Sequence, residues 1–592
     1  MIKTWFILFM LVALPWAVAF GLQHDSVVPL YVLLGSVAVF IWCIALGKGE
    51  RYYPFAIYFL SLGLMWSSTM VGVHVIGSDM HGEFYTSYQV LQRGWNPVLD
   101  YGTQSSTSFV TGWLVPIVSR LTLSGPEWVY KVILPMIFSL TPVLLYYAFR
   151  RFGVKVAAYG AIFFVIVPVT TLEIAQIGKS MVAEAFMAGA VLLLSVKIKW
   201  WWQLILLPLS AVLAMWAHYT VGLALLAYLI AILGAKVVLW KRGTVSATVL
   251  ALTILASLGF GWAYYKNVDG GSIYQVVTRL VPVYGSVIAD TATDAAQMKT
   301  IRDAYADPAT LPAPSENLKN VTGYVNKFER QEKLVLTAVG MDFWDVSNWG
   351  KAFRIVQYLT QALVLAGAGV LLWTWRRYPI EIVAGVLASL ILMLMVVFVP
   401  QFSLIINATR FYHLALFFLA PVVFLVLARI RYAAPVVLCV YFLFTSGLAF
   451  ELSKQNDLTA FDTPYSVGLS AEKTGVVATY SDDDVVAAKW LSETTDTMIV
   501  GDYNGWHLVS SYAGLTRLRE PQASYNPTFE SLPNKEHFIF TTSWNNRKGK
   551  YIESIREIWG GAGLRESRTL PDFSELPVAF QSGDAVVYWR EP

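Results

Sequence analysis

Long apolar runs alternate with short polar turns through the first three quarters of the chain. Roughly 18 or more apolar residues make a helix long enough to cross the hydrocarbon core of a bilayer. The pattern therefore predicts a polytopic α-helical membrane module over residues 1–451, with about 13 transmembrane helices. The runs lie near 4–21, 27–47, 54–76, 127–149, 155–175, 178–197, 202–218, 221–240, 244–265, 352–374, 379–400, 411–429 and 433–450.

A shorter apolar stretch over 109–118 does not fit this series. Counting it as a crossing would move every later basic turn to the opposite side of the membrane. The stretch also contains Gly112 and Pro116, which favour a short and irregular element. We therefore predict a re-entrant or interfacial segment here.

The pattern changes after about residue 451 and becomes that of a water-soluble domain. Apolar runs typical of strands lie at 498–500, 537–541 and 585–589, and helical patterns lie at 485–491, 506–513 and 551–559. Asp482 or Asp483 is expected to cap the first of these helices, and the segment 502–507 is expected to be a polar loop after a strand. Alternating helices and strands predict a C-terminal α/β domain over 452–592.

Composition supports a membrane protein and charge sets its predicted orientation. Of the 592 residues, 56% are hydrophobic and only 14% are charged, and the two cysteines provide no disulfide framework. Basic residues mark alternate turns, which the positive-inside rule places in the cytoplasm together with the N-terminus. The first outer loop (77–126), a large outer loop (267–351) and the C-terminal domain are then extracytoplasmic, in a multi-pass protein of the cell membrane. The basic residues are Lys48, Arg51, Arg150, Arg151, Lys155, Lys197, Lys199, Lys241, Arg242, Arg376, Arg377, Arg429 and Arg431.

Two carboxylates and an imidazole stand directly after the third apolar run, at Asp79, His81 and Glu83. Charged groups are costly in hydrocarbon, so this cluster is expected at the membrane boundary or in a polar cavity there. A helix would place Asp79 and Glu83 on one face and turn His81 away, whereas an extended segment would direct all three to one side. Converging carboxylates suit either a divalent cation or a general base beside a second acid.

The motif Asp-x-His-x-Glu, followed by Tyr85 and by Gly-Trp-Asn-Pro at 94–97, resembles the first extracytoplasmic loop of the GT-C superfamily of membrane glycosyltransferases. It is most similar to a largely archaeal branch of predicted membrane glycosyltransferases. The resemblance implies a polyprenyl-phosphate sugar donor and an acidic residue of this loop as catalytic base or metal ligand. The catalytic candidates are Asp79 and Glu83.

Cations at the predicted outer ends of the helices are candidates for binding the donor phosphate, because guanidinium and ammonium groups stabilise a phosphate leaving group. The candidates are Lys179, Arg410, His413 and Arg354. Spacing places Arg410 and His413 on one helical face.

Glu173 loosely matches a second acid of the GT-C pattern. The resemblance thus implies a possible Mg²⁺ or Mn²⁺ site formed by Asp79, His81, Glu83 and Glu173. A metal-free base remains an alternative.

Further candidates for the pocket are Tyr85, Glu184, His218 and Tyr219. Glu184 lies about two turns inside its run and therefore requires a partner, which we expect to be His218 or Lys179. An aromatic and acidic patch at 341–345 is expected to stack on a sugar or to anchor the chain at the interface.

These features predict a glycosyltransferase that moves a sugar from a polyprenyl-phosphate donor to a glycan, lipid or protein acceptor, within envelope glycan biosynthesis. An oligosaccharyltransferase that transfers a lipid-linked glycan to protein is the nearest alternative. A lipid or solute transporter is an alternative of another class, and it predicts charges deep in several helices.

Overall fold

The structure is a computed structural model. It describes residues 2–95, 108–239, 243–267, 340, 343–344, 346–399, 402, 408–454, 466–469, 479–494, 497–513, 529, 532, 536–554 and 565–591. Most of the large outer loop, including most of the patch predicted at 341–345, lies outside these residues.

Helices make up the first 453 residues where the chain is described. They are α1 (Ile2–Gln23), α2 (Val28–Leu46), α3 (Tyr53–Thr69), α4 (Ser78–Arg93), α5 (Val115–Thr122), α6 (Pro126–Trp128), α7 (Leu134–Phe138), α8 (Leu140–Phe149), α9 (Val154–Ile166), α10 (Pro168–Leu172), α11 (Gly178–Ser195), α12 (Trp200–Ala217), α13 (Tyr219–Leu239), α14 (Ala247–Asn267), α15 (Asn348–Trp373), α16 (Ile380–Phe398), α17 (Ala408–Leu419), α18 (Phe424–Leu427), α19 (Ala433–Thr445) and α20 (Leu448–Ser453).

Nine helices in the described ranges are long and apolar enough to cross a membrane, or ten if the bent pair α9–α10 is one span. The predicted number was thirteen. The runs predicted near 54–76 and 433–450 do form helices, α3 and α19, but these have only 17 and 13 residues. Helix α3 ends early because the chain turns at Gly72 and Val73, whose carbonyl groups accept hydrogen bonds from Lys131.

The apolar stretch predicted as re-entrant or interfacial forms a short helix. A five-residue π-helix (Val110–Leu114) continues into the eight residues of α5, which together are too short to span a bilayer. Arg120 on α5 donates a hydrogen bond to the carbonyl oxygen of Leu91 on α4. The segment thus packs beside the loop that carries the acidic cluster.

The C-terminal region is an α/β domain, as predicted. Its helices are α21 (Asp482–Thr494), α22 (Tyr503–Ala513) and α23 (Ser543–Lys548), and its strands are β1 (Met498–Gly501), β2 (His537–Thr541), β3 (Lys550–Ser554), β4 (Arg565–Thr569), β5 (Val578–Ser582) and β6 (Ala585–Arg590). The main sheet has the order β1-β2-β6-β5, with β1 parallel to β2 and the other pairs antiparallel. Strands β3 and β4 form a separate antiparallel pair.

The helix predicted at 551–559 is wrong, because residues 550–554 form strand β3. Tyr551 and Ile552 are both buried, and the N–H of Ile552 donates to the carboxylate of Asp502 from another element. A buried strand that is held by a distant partner leaves no sign in the local periodicity.

Two further local predictions in this domain are also wrong. Ser481, and not Asp482 or Asp483, caps α21: its hydroxyl accepts the N–H of Asp484, whose carboxylate accepts the N–H of Ser481 in return. The segment 502–507 is not a polar loop but the start of α22. Asp502 accepts the N–H of Gly505 at 2.7 Å and so acts as a helix cap.

The C-terminal domain packs against α4 of the membrane module. Nδ1 of His81 lies 2.6 Å from Oγ of Ser511, and the ring of Phe84 meets the ring of Tyr512 edge-on at 5.9 Å. The first outer loop and the C-terminal domain therefore occupy the same end of the helix bundle.

A buried ion pair lies apart from the acidic cluster. Nζ of Lys236 on α13 is 2.7 Å from Oε1 of Glu381 on α16, and Oε1 also accepts the N–H of Val245. Buried charges therefore also occur away from the cluster around Asp79. This pair joins two helices to the turn between α13 and α14.

Candidate active site

Helix α4 carries the acidic motif, so the helical alternative is the one the chain adopts. Gly77 precedes the helix with φ +92°, and a Cβ atom there would lie 2.5 Å from atoms of Gln176. Only glycine fits this conformation in so little space. Asp79 lies in the first turn of α4, and Glu83 lies one turn later on the same face.

Asp79 contacts the guanidinium of Arg410, which is 331 positions away in the sequence. Nη2 of Arg410, in the first turn of α17, donates to Oδ2 of Asp79 at 3.1 Å, and Nε of Arg410 lies 3.6 Å from Oε2 of Glu173. The Asp79 side chain is 48% exposed, whereas those of Arg410 and Glu173 are 24% and 27% exposed. One cation thus lies between two carboxylates, and Asp79 faces the solvent.

Glu83 has a different environment, because its side chain is only 2% exposed and lies at the N-terminus of α11. Its Oε2 accepts the backbone N–H of Lys179 at 3.1 Å, and Nζ of Lys179 lies 3.7 Å from Oε1. Burial raises the pKa of Glu83 to about 7, while the charge of Lys179 opposes this rise and the charge of Asp79 adds to it. A carboxylate at a helix N-terminus stabilises that helix. Glu83 therefore fixes the position of Lys179.

Gly178 makes this approach possible. A Cβ atom on Gly178 would lie 2.8 Å from Oε2 of Glu83 and 2.7 Å from the ring of Tyr130. Such distances are shorter than real Cβ contacts, so a side chain there would push Glu83 away from the end of α11.

We expect Gly178→Ala to destabilise the protein by about 1–3 kcal/mol through overpacking and to weaken the contact between Glu83 and Lys179. The midpoint of thermal unfolding in detergent measures the first effect. Gly189→Ala in the same helix is the matched control, because a Cβ atom there meets only Oγ of Ser210 at 3.7 Å. The same midpoint for both alanine variants would refute the packing argument.

His81 does not join the carboxylates. Its ring is buried against the C-terminal domain, between the rings of Tyr480 and His507, and is bonded to Ser511. The predicted set of metal ligands is therefore not assembled. Within the described ranges there is no group of three or more His, Cys, Asp or Glu side chains that could hold a metal ion.

The remaining acids of the predicted metal site are held by cations. Asp79 and Glu173 both contact Arg410, and Glu83 contacts Lys179. Because their carboxylates are already bound to Arg410 and Lys179, these residues do not fit a divalent cation.

His81 and His74 make opposite contributions to the pH dependence of stability. Burial lowers the pKa of His81 from 6.5 to about 3, with a further contribution from the charge of His74. The unfolded chain therefore binds a proton between these pH values that the folded chain excludes, and stability rises with pH across this window. At pH 5 this proton lowers the free energy of unfolding by roughly 2 kcal/mol relative to its value well above pH 6.5, at about 1.4 kcal/mol per pH unit.

His74 lies between Glu127 of α6 and Asp482 of the C-terminal domain, at 3.0 and 2.9 Å. Burial lowers the pKa of His74, but the hydrogen bonds and charges of its two carboxylate partners outweigh burial and raise this pKa above 6.5. The contribution of His74 is therefore complete below pH 6.5 and is lost as the pH rises through the raised value.

We expect His81→Asn, whose amide can still bond Ser511, to reduce the loss of thermal stability between pH 6.5 and pH 5. We expect His74→Gln to reduce the loss above pH 6.5. The measurement is the unfolding midpoint as a function of pH, and His24→Asn at the exposed end of α1 is the control. If the unfolding midpoints of both variants change with pH as the wild-type midpoint does, in both pH regions, His81 and His74 do not have the pKa shifts given above.

His413 is buried behind Arg410 and does not reach the surface where a phosphate would bind. Its Nε2 lies 2.8 Å from Oε2 of Glu184, and its Nδ1 lies 3.4 Å from Oγ1 of Thr170. The partner predicted for Glu184 is therefore wrong: it is His413 and neither His218 nor Lys179. The prediction that His413 binds phosphate directly is also not supported.

The other predicted residues lie at varying positions around the cluster. His218 is half-buried between α12 and α13, with Nδ1 3.4 Å from Oγ of Ser180, and it is within electrostatic range of Lys179 and Arg410. Tyr219 lies beside it, with the two rings 5.6 Å apart. Arg354 is buried in α15 and donates a hydrogen bond to Gln357. Tyr85 is half-buried on α4.

Sequence reasoning missed Gly178, Thr170 and His74. Gly178 carries a local signal, because a glycine beside a lysine at the start of an apolar run permits a close approach from another element. Thr170 and His74 carry none that separates them from ordinary polar residues near a helix end. Their roles depend on partners more than 50 residues away.

A family model described as "Predicted membrane protein (DUF2206)" matches residues 319–552. No curated protein matches the chain.

Solved structures similar to this chain include two of an oligosaccharyltransferase from Archaeoglobus fulgidus. One, in complex with zinc and sulfate, has a TM-score of 0.43 and 14% identity, and the alignment covers 78% of this chain and 61% of that chain. The other, of AglB with an inhibitory peptide and a dolichol-phosphate, has a TM-score of 0.46 and 11% identity, over 91% and 76% of the two chains.

The structure of ArnT from Cupriavidus metallidurans bound to undecaprenyl phosphate has a TM-score of 0.37 and 12% identity, over 90% of this chain and 97% of that chain. All three TM-scores are below 0.5.

Proposed function

We propose that this chain is a membrane glycosyltransferase of the GT-C type. It transfers a sugar from a polyprenyl-phosphate donor to an acceptor at the extracytoplasmic face of the cell membrane. The observation that supports this proposal is the meeting of an exposed carboxylate, Asp79, with the guanidinium of Arg410 at one end of an apolar helix bundle. A lipid-linked donor and a water-soluble acceptor can react only where hydrocarbon and water meet.

The two acids of the motif divide their roles according to burial. Asp79 is half-exposed and can reach an acceptor hydroxyl, so we assign it as the general base. Glu83 is buried and bonded to the first turn of α11, so we assign it to positioning Lys179.

In the proposed step, Asp79 takes the proton of the acceptor hydroxyl, and the hydroxyl oxygen attacks the anomeric carbon of the donor. The bond between that carbon and the phosphate oxygen breaks, and the polyprenyl phosphate leaves with the bonding electrons. Arg410 and Lys179 stabilise the phosphate charge that develops. One displacement inverts the configuration of the anomeric carbon.

Arg410 has the donors that this role requires. A guanidinium carries five N–H groups in a planar fork that matches phosphate oxygens. The contact with Asp79 uses Nη2, so further groups of the fork can bond a phosphate. We propose that Glu173 keeps the guanidinium in place while Asp79 exchanges this contact for the acceptor.

The C-terminal domain packs on α4, the helix that carries the proposed base. We propose that it presents or selects the acceptor, which is a glycan, a lipid or a protein.

The test is release of lipid phosphate by the purified full chain in detergent. Donors are a panel of polyprenyl-phosphate sugars, and acceptors are a free sugar, a glycolipid and a peptide containing Asn-X-Thr. Release that depends on one of these acceptors supports the proposal, and transfer to the peptide assigns an oligosaccharyltransferase. Absence of release with every donor, or release with water as the only acceptor, would overturn it.

A further inference from the structure

A polar group that takes no part in the proposed step is buried behind Arg410. Glu184 on α11 and His413 on α17 are 1% and 0% exposed, and Oε2 of the first lies 2.8 Å from Nε2 of the second. Thr170, which is also fully buried, approaches the other ring nitrogen of His413 at 3.4 Å. Burying polar groups in an apolar bundle costs free energy unless they are bonded to one another. A group buried this deeply does not touch a donor or an acceptor.

Thr170 lies just after the bend between α9 and α10, which is 47°. Pro168 has no N–H, so the bend leaves carbonyl groups of α9 without their usual helical donors. The Thr170 hydroxyl donates to one of them, that of Phe164, at 3.0 Å. The ring of Phe164 lies 4.5 Å from that of His413. The bend and α17 are therefore packed together at this level.

Two polar contacts join the bent segment to α17 at matching intervals. Thr170 contacts His413, and Glu173 contacts Arg410. Glu173 follows Thr170 by three positions, whereas Arg410 precedes His413 by three positions. Three residues correspond to about 4.5 Å along a helix and return to nearly the same face. The buried contact thus lies one turn deeper than the contact that holds the guanidinium.

Arg410 lies in the first turn of α17, where backbone N–H groups have no partners within the helix. The rotation of this end about the helix axis therefore depends on contacts with neighbouring elements. A rotation of about 20° would move a side-chain group at a radius of about 5–6 Å by roughly 2 Å. A misplacement of about 1 Å can reduce a catalytic rate about a hundredfold.

We propose that His413, anchored by Glu184, is a positioning residue that sets the rotation of α17 and so places the Arg410 guanidinium for the donor phosphate. This inference rests on the glycosyltransferase function proposed above. The short bond to Glu184 supplies the anchor, and the longer contact with Thr170 is secondary.

Replacement of His413 by Gln or by Asn tests its contact with Glu184 and its contact with Thr170 one at a time. The amide nitrogen of Gln reaches about as far as Nε2 and can still donate to Glu184, whereas that of Asn reaches only about as far as Nδ1 and keeps the contact with Thr170. We expect His413→Gln to bind undecaprenyl phosphate within about threefold of the wild type. We expect His413→Asn to bind it about 10- to 100-fold more weakly.

The measurement is the Kd of undecaprenyl phosphate for the full chain in detergent, with inorganic phosphate as a probe of the headgroup alone. His413→Asn is also expected to raise the KM of the sugar donor and to leave the KM of the acceptor unchanged, a split that general destabilisation would not produce. The unfolding midpoint of each variant shows whether it is folded, and His24→Asn is the matched control.

A double-mutant cycle with Arg410→Gln decides whether His413 acts through Arg410. If it does, His413→Asn will cause no further loss of affinity, within about twofold, once Arg410 is replaced. An equal loss in both backgrounds, or no loss in His413→Asn alone, would overturn the inference and leave the proposed function intact. A wild type that does not bind undecaprenyl phosphate would overturn both.

Discussion

Asp79→Asn is expected to reduce the turnover number of sugar transfer by about a hundred- to ten-thousand-fold, the usual contribution of a positioned general base. Asn has nearly the shape of Asp but cannot accept the proton of an acceptor hydroxyl. The measurement is the rate of acceptor-dependent release of lipid phosphate, with donor and acceptor at saturation.

Stability distinguishes this loss from a folding defect. The Asp79 side chain is 48% exposed, and an exposed ion pair contributes at most about 1 kcal/mol. The unfolding midpoint of Asp79→Asn should therefore stay close to that of the wild type. Asp584→Asn is the matched control, because Asp584 also pairs with an arginine, Arg547, but lies in the C-terminal domain. Turnover of Asp79→Asn equal to that of this control would refute the assignment of the base.

Arg410→Gln is expected to produce the second large effect, a loss of about a hundred- to a thousand-fold in turnover, because the phosphate charge that develops in the transition state loses its main donor. Arg410→Lys is expected to lie between the wild type and the Gln variant. Lysine keeps the charge but cannot form the two-pronged contact of a guanidinium. The same release assay measures the turnover numbers of the wild type, Arg410→Lys and Arg410→Gln.

The replacement of Arg410 also removes the cation between Asp79 and Glu173, and two carboxylates that are close together repel each other. We therefore expect Arg410→Gln to change the pH profile of transfer, and we expect Glu173→Gln in the same background to reverse that change, because it removes the repulsion and keeps the base. Arg547→Gln, at the exposed pair of the C-terminal domain, is the control. Turnover of Arg410→Gln equal to that of Arg547→Gln would exclude phosphate binding by Arg410.

The sequence predicts that the acidic cluster lies at a boundary of the bilayer, because hydrocarbon excludes charge. In the structure the cluster lies on α4, which begins at Ser78 and packs against the C-terminal domain. Spacing also placed Arg410 and His413 on one face of one helix. What spacing left open was the depth of each residue, so the buried His413 was grouped with the partly exposed Arg410.

Predictions from local sequence pattern were wrong where contacts with residues far away in the sequence determine the secondary structure or the site. Strand β3 was predicted as a helix because its pairing with β4 and its bond to Asp502 come from other parts of the domain. The possible metal site was predicted from Asp79, His81 and Glu83, which are close in sequence, together with Glu173, but the helix directs His81 to Ser511 instead, 430 positions later.

Hydropathy and residue spacing were enough to predict a helical membrane protein with a C-terminal α/β domain, in which acids and cations collect at the ends of the helices. Periodicity and the cost of charge in hydrocarbon are local properties, and both can be read along one chain. The pairing of Asp79 with Arg410, and of Glu83 with Lys179, could be seen only in the folded chain. Which charges pair depends on the rotation and register of packed helices, and these are properties of the assembled bundle.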